Sequence, residues 1–262
     1  MMEIKIRDAN NLDKIPILKF CKNTFSWGDY IEHVWDYWLS EGNLFLAQNQ
    51  YPVGFCHAVY SKDQIWIEGI RIDPKYRRHN IASKLVKHAE TIGMKKNLHF
   101  SFMLIDTENS ESLCMANSLN YNIFQTWNFY SLEPKTNPNH NVTFVKSLNL
   151  KLYSHYVKSW RWLPFDDETL TSLYKKNCIV KSDMNGKNSI ALLTDSEHFD
   201  NTLIVTLFSN SSESALEVIS FLQNFGIEKN YERIQILTRE KLPNFNSLEY
   251  KISFHLMKKT LV

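Results

Sequence analysis

The stretch that most constrains this chain runs Trp66-Ile67-Glu68-Gly69-Ile70-Arg71-Ile72-Asp73-Pro74-Lys75-Tyr76-Arg77-Arg78-His79-Asn80-Ile81-Ala82-Ser83-Lys84-Leu85. Its β-formers stop at Pro74, cross a short basic turn, and give way near Ile81 to a helix extending to about Lys96. Ile81, Leu85, Val86, Ala89 and Ile92 recur at helical spacing and form that helix's apolar face. Lys95 and Lys96 stand at its C-terminal end, where the macrodipole favours cations. Amide N–H groups at such a helix start have no intrahelical partner and point outward together. With the dipole they make an anion site suited to a pyrophosphate. Arg77, Arg78 and His79 raise the local potential. Asn80 tolerates a left-handed backbone, and Ala82 is small enough to let a ligand approach Ile81, Ala82 and Ser83.

The surrounding order is legible from period and punctuation. Glu3 to Arg7 alternate as an opening strand, and Asn11 to Phe25 read as a helix interrupted near Pro16. Ser26-Trp27-Gly28 breaks it, and Asp29 with Glu32 three residues on reads as a capping box for a second helix. Val34, Trp35, Trp38 and Leu39 form that helix's buried stripe. Asn43 to Gln48, Val53 to Tyr60 and Ile65 to Ile72 read as an antiparallel meander. Leu98 to Ile105 is a strand, Ser112 to Leu119 a short helix, and Tyr121 to Leu132 a returning strand. The order is β-α-α-β-β-β-α-β-α-β.

Pro134 to Asn141 holds two prolines and three asparagines and is the best linker candidate. The expected domains are residues 1–134, a linker region 135–150, and 151–262; Val142 to Lys158 stays ambiguous between strand and helix. Asp167 to Tyr174 and Ser212 to Asn224 look helical. Ser189 to Thr194, Thr202 to Phe208, Arg233 to Thr238 and Tyr250 to Lys258 look like strands. The β-β-α-β-β tail suggests a second copy of the first fold, eroded in sequence. The turn Ser209 to Ser214 has no Arg and no Gly, and places Glu213 where phosphate would be repelled, so no second cofactor is expected.

At 262 residues, with 44% hydrophobic and 22% charged, the chain has room for two domains. A formal net charge of +2 gives no reason to expect nucleic-acid binding. Cys21, Cys56, Cys114 and Cys178 fit no zinc or disulfide framework, which predicts reduced thiols in a cytoplasmic protein and no metal. No apolar run approaches the ~20 residues needed to span a bilayer, so no membrane association is expected.

Arg77 to Ala82 resembles motif A of the GCN5-related N-acetyltransferases (GNAT), R/Q-x-x-G-x-G/A, with Arg77 first, Ala82 last and Asn80 in place of the middle glycine. Ile72 to Arg77 resembles that family's strand-to-loop entry. Asn109, Ser112 and Asn120-Tyr121 stand where the family carries N-x-x-A…G-F. The resemblance covers about Met2 to Leu132. It implies a mixed α/β acyl-CoA N-acyltransferase fold with a second, smaller domain of the same kind. It implies acetyl-CoA as cosubstrate and direct attack of an acceptor amine on the thioester. It also implies that the strand at Ile70, Arg71 and Ile72 holds the pantetheine arm.

An alkyl ammonium has a pKa near ~10, so a base must take its proton before it can attack. Glu68 is the candidate. Alternation puts Trp66, Glu68, Ile70 and Ile72 on one face, and desolvation beside Trp66 would raise the carboxyl's pKa. Family members often carry a carboxylate at the place of Trp66. The alternative is an exposed Glu68, or one paired with Arg71 or a helix lysine. The resemblance implies a Tyr acid where this chain has Ala116; Tyr30 and Tyr121 are possible substitutes, and packing is the simpler role for Tyr30. Asp29 reads as a helix cap and His57 as a packed histidine. The expected function is acetylation of a primary amine, of a small molecule such as an amino acid, by a monomer or homodimer. A protein N-terminal or lysine acetyltransferase and a non-catalytic acyl-CoA-binding module are the alternatives.

Overall fold

The computed structural model describes residues 3–22, 24, 28–148, 150 and 153–261. The chain divides into two compact units: residues 1–124 with 256–262, and residues 125–255.

The first unit opens with β1 (Lys5–Asp8) and α1 (Lys14–Cys21), which continues past Pro16 because a proline in a helix's first turn removes no intrahelical bond. The reading of Phe25, Ser26 and Trp27 falls outside the described residues. After α2 (Ile31–Glu41) come β2 (Leu44–Asn49), β3 (Tyr51–Ser61) and β4 (Gln64–Ile72), then α3 (Ile81–Lys95), β5 (Phe100–Asp106) and α4 (Ser110–Ser118). β6 (Asn122–Leu132) begins in this unit and continues into the second.

β1, β2, β3 and β4 pair antiparallel in that order, and β5 joins β4 in parallel. Such a parallel step needs a crossover, which α3 supplies. The apolar face of α3, with Ile81, Leu85, Val86 and Ala89, packs on Phe45, Ala47, Cys56, Ala58, Ile65 and Ile67. A second apolar cluster joins Ile17 and Cys21 to Val34, Trp35, Trp38, Leu46 and Phe55. The sheet is therefore covered on both faces, and alternation along β3 separates the two: Cys56 belongs to the α3 cluster and Phe55 to the α2 cluster.

The second unit contains β7 (Thr143–Phe144), β8 (His155–Lys158), β9 (Arg161–Pro164), α5 (Asp167–Lys175), β10 (Ile179–Met184), β11 (Lys187–Asp195), β12 (Thr202–Ser209), α6 (Ser212–Glu228) and β13 (Arg233–Thr238). β14 (Leu248–Thr260) starts here, and its last residues return to the first unit beside β5. β10, β11 and β12 form an antiparallel meander, α6 crosses over, and β13 pairs in parallel with β12. That is the same order and sense as β2-β3-β4, α3 and β5. β8 and β9 form a separate hairpin, which resolves part of the ambiguous 142–158 stretch as strand. The four cysteines are free thiols. No helix among the described residues is long and apolar enough to cross a membrane.

Candidate functional site

Between the pairs Phe55–Arg71 and His57–Glu68, β4 carries one more residue than β3. The extra residue makes a β-bulge, and Gly69 sits in it at φ 66°. Gly69 is required twice over. The left-handed backbone strains any L side chain, and a Cβ there would overlap the Trp38 ring. The bulge corrects the expectation that Trp66, Glu68, Ile70 and Ile72 share a face. Ile65 and Ile67 lie in the α3 cluster, and Ile70 and Ile72 pack against that same cluster. Glu68 and Arg71 bond instead to groups on the α2 side. Strict alternation fails because one inserted residue inverts every side chain beyond it.

β4 and β5 pair over Gln64–Ile67 and Phe100–Met103, and then their ladder ends. Residues 68–72 and 104–106 continue as strand beyond that paired stretch. In the second unit the corresponding strands stay together, with Thr202–Leu207 paired along the whole of β13. The first unit thus has a ladder that stops short between its parallel strands where the second has one that runs the length of β13.

After β4 the chain turns into α3. Asp73 accepts the Lys75 N–H at 3.0 Å and closes the first part of the turn. Arg78 and Asn80 are left-handed, at φ 63° and 58°. The sequence pointed to Asn80 for such a backbone but gave no sign of Arg78. His79 donates from Nδ1 to the Arg77 carbonyl at 2.8 Å, which fixes its tautomer. Arg77, Arg78, His79 and Asn80 are exposed, while Ala82 and Ser83 are half-buried. Asn80 makes no side-chain cap bond, and the Lys84 N–H bonds back to the Asn80 carbonyl at 3.0 Å. The amides of Ile81, Ala82 and Ser83 precede that bond, where helix geometry supplies no partner. The start of α6 differs: the Ser211 hydroxyl accepts the Ser214 N–H at 3.2 Å. The Glu213 carboxylate, lowered in pKa by its own backbone N–H and by Ser211, occupies the same place.

On the α2 side of the bulge, Glu68 accepts from Trp66 Nε1–H at 2.9 Å through Oε2, and its Oε1 lies 2.8 Å from His57 Nδ1. The Trp66 contact is therefore a hydrogen bond as well as an apolar neighbour. His57 is fully buried and stacks on Trp38, with ring centroids 4.9 Å apart. The sequence reading of His57 as a packed histidine agrees with this burial, and its contact with Glu68 is what that reading did not include. The usable signal was its place opposite Glu68 on neighbouring strands, in the register that runs unbroken from the Ser61–Gln64 turn to the near side of the bulge.

Arg71 pairs with Asp29 through two bonds, Nε to Oδ2 at 2.8 Å and Nη2 to Oδ1 at 3.1 Å. This replaces the expected capping box: α2 starts at Ile31, its N-cap Tyr30 makes no side-chain cap bond, and Asp29 Oδ1 lies 3.4 Å from the Ile31 N–H. Tyr30 carries the Arg71 guanidinium 5.4 Å from its ring centre and meets Trp38 edge-on. Burial pushes its phenol up, and the charges of Glu68 and Asp29 add to this while Arg71 opposes it.

Asn109 caps α4, accepting the Ser112 N–H at 3.0 Å. Ala116 is fully buried in the α3 cluster. Tyr121 donates to Glu90 at 2.8 Å and meets the Ser101 hydroxyl at 2.5 Å. Burial and Glu90 push its phenol well above the usual range, so its hydroxyl is committed inside the core. Among the described residues no group of three or more His, Cys, Asp or Glu could hold a metal ion.

Residues 12–118 match the sequence profile of the acetyltransferase (GNAT) family. The curated proteins include no match. Among solved structures, a GCN5-related N-acetyltransferase from Sphaerobacter thermophilus is similar with a TM-score of 0.65 at 10% identity, covering 98% of this chain and 96% of that one. A protein from Thermoplasma acidophilum described as a candidate acetyltransferase gives 0.62 at 13% identity, covering 98% and 99%. At such identities the likeness is one of fold. The N-terminal unit has the fold of the GNAT superfamily, and the chain joins to it a second, structurally related sheet-rich domain.

Proposed function

We propose that the first unit is an acetyl-CoA-dependent N-acetyltransferase acting on a primary amine. The observation that carries this reading is the end of the β4–β5 ladder at Ile67 and Met103, followed by a helix start with no side-chain cap. A pyrophosphate fits that start on three grounds: left-handed Arg78 and Asn80, the small Ala82, and exposed cations at Arg77 and Arg78. In this reading Arg77, Arg78, His79, Asn80, Ile81, Ala82 and Ser83 hold the phosphates. The β4 edge at Ile70, Arg71 and Ile72 orients the pantetheine arm, and Asn109 borders it. When bound, acetyl-CoA supplies the acyl thioester.

Glu68 takes the acceptor's proton. Its carboxylate is about one-seventh exposed and tied to Trp66 and His57, so it is held in one orientation. Tyr30 stays a phenol because burial disfavours its anion, which suits it to donate a hydrogen bond or a proton beside Glu68. The Asp29–Arg71 pair fixes the backbone between them. Small-molecule amines are the proposed acceptors. A binding module without catalysis is the second reading, favoured by Ala116 at the place of the family's tyrosine.

Calorimetry with coenzyme A tests the cofactor site, and thioester consumption against a panel of amines tests the reaction. Association with coenzyme A and turnover lowered about 10²-fold in Glu68→Gln support the proposal. Association without turnover on any amine favours the binding module, and the absence of association ends both.

A further inference from the structure

His57 is fully buried, and both of its ring nitrogens face oxygen atoms. Nε2 lies 3.0 Å from the Gly42 carbonyl oxygen, which can only accept, so Nε2 carries a hydrogen. Nδ1 lies 2.8 Å from Glu68 Oε1. A neutral ring with its hydrogen on Nε2 would turn a lone pair toward a carboxylate. A contact this short therefore needs one more proton between Nδ1 and Oε1. Three neighbours favour placing it on the ring. Trp66 donates to Glu68 Oε2 and so supports the carboxylate. The Glu41 carboxylate at the end of α2 stands 3.6 Å from Nε2. The Trp38 face stacked on the ring is favourable to a cation. Beyond Glu68, the nearby ionisable groups are Tyr30 and the Asp29–Arg71 pair, whose charges oppose one another.

We propose that His57 and Glu68 are one proton-accepting unit, in which Glu68 meets the acceptor amine and His57, a positioning residue, keeps the proton. This rests on the transferase reading for its role in turnover. In the reactive form the pair lacks the shared proton. An N–H bond of the acceptor ammonium breaks and an O–H bond forms at Glu68. The proton then crosses the 2.8 Å contact and forms an N–H bond at Nδ1, leaving a carboxylate beside an imidazolium. The pair returns that proton to solvent before the next turnover.

The pairing is tested without any acceptor by nitrogen-15 spectra of histidine-labelled whole protein, with His57→Gln identifying the signal. The expected result is a ring protonated at both nitrogens on the acid side of its transition and at Nε2 alone after it. Glu68→Gln abolishes the Nδ1 proton at neutral pH. If His57→Gln fails to fold, Glu68→Gln still identifies the ring by its changed signal. A wild-type ring with unprotonated Nδ1 throughout pH 5–9 overturns the proposal.

The role is tested by the pH profile of turnover on an accepted amine. In His57→Gln the ascending limb moves by about one pH unit or more, turnover falls about tenfold or more, and KM for acetyl-CoA is unchanged. A lowered rate with the limb unmoved assigns His57 to packing and overturns the role. Ring signals as expected with no turnover on any amine support the shared proton and overturn the transferase reading.

Discussion

Arg71 reaches across from the strand beyond the bulge to clasp Asp29 with two parallel bonds of 2.8 and 3.1 Å. The Asp29 side chain is 3% exposed and that of Arg71 13%, so neither charge is well solvated. Removing one partner leaves the other buried and uncompensated, which costs about 3–5 kcal/mol. Asp29→Asn and Arg71→Met should each approach that loss in denaturant unfolding. The double variant should cost less than the sum, because it leaves neither charge stranded.

Gly69→Ala should destabilise the first unit by more than about 2 kcal/mol. The left-handed backbone alone costs roughly 1–2 kcal/mol for an L residue, and the new methyl group overlaps Trp38. Trp38→Leu in the same chain removes the overlap but not the backbone strain. It should recover part of the loss that Gly69→Ala adds to it. Equilibrium unfolding of the single and double variants measures that coupling.

At the helix start, Asn80→Gly keeps the φ of 58° that the turn adopts, whereas Asn80→Val strains it. Thermal unfolding should leave the first variant within about 0.5 kcal/mol of the parent and lower the second by roughly 1–2 kcal/mol. Coenzyme A affinity measured by calorimetry should follow the same order, since both depend on where the amides of residues 81–83 point.

Asp13 accepts two bonds from Arg7, at 2.8 Å each, and one from the Asn10 N–H at 2.9 Å. Burial alone would raise its pKa, but the Arg7 and Asn10 bonds together with the Arg7 charge outweigh it and lower the carboxyl below 3.8. A depressed carboxyl contributes stability above its unfolded value and loses it as pH falls through the folded one. Acid unfolding should therefore steepen below pH 3.8, and Asp13→Asn should remove that part of the slope. At neutral pH the same variant should cost about 2 kcal/mol.

Much of this architecture is written in periodicity. Helix α3 was read from Ile81 to about Lys96 and runs Ile81–Lys95, because five apolar residues at helical spacing leave no other period. The strands of the meander fall close to their predicted spans for the same reason. The bulge was invisible to alternation: Gly69 signals flexibility, but only the register with Phe55 and His57 says that a residue is inserted. Asp29 misled because an Asp three residues before a Glu satisfies a capping rule locally, while its actual partner lies 42 positions away. His57 is packed as read, but its contact with Glu68 lies across the strand pair, where local sequence does not reach. β10 escaped notice because Lys181, Ser182 and Asp183 dilute its apolar signal. Pairing with β11 and β7 holds it in the sheet.

The last strand gives the molecule an order of assembly. Met257 and Leu261 complete the apolar cluster under α3, Lys259 reaches Glu90 of that helix at 2.7 Å, and the Leu261 N–H bonds to the His99 carbonyl. A ribosome must synthesise all of residues 125–255 before those side chains exist. The half of the protein made first is thus finished last, and until then α3 waits with its core open at one edge.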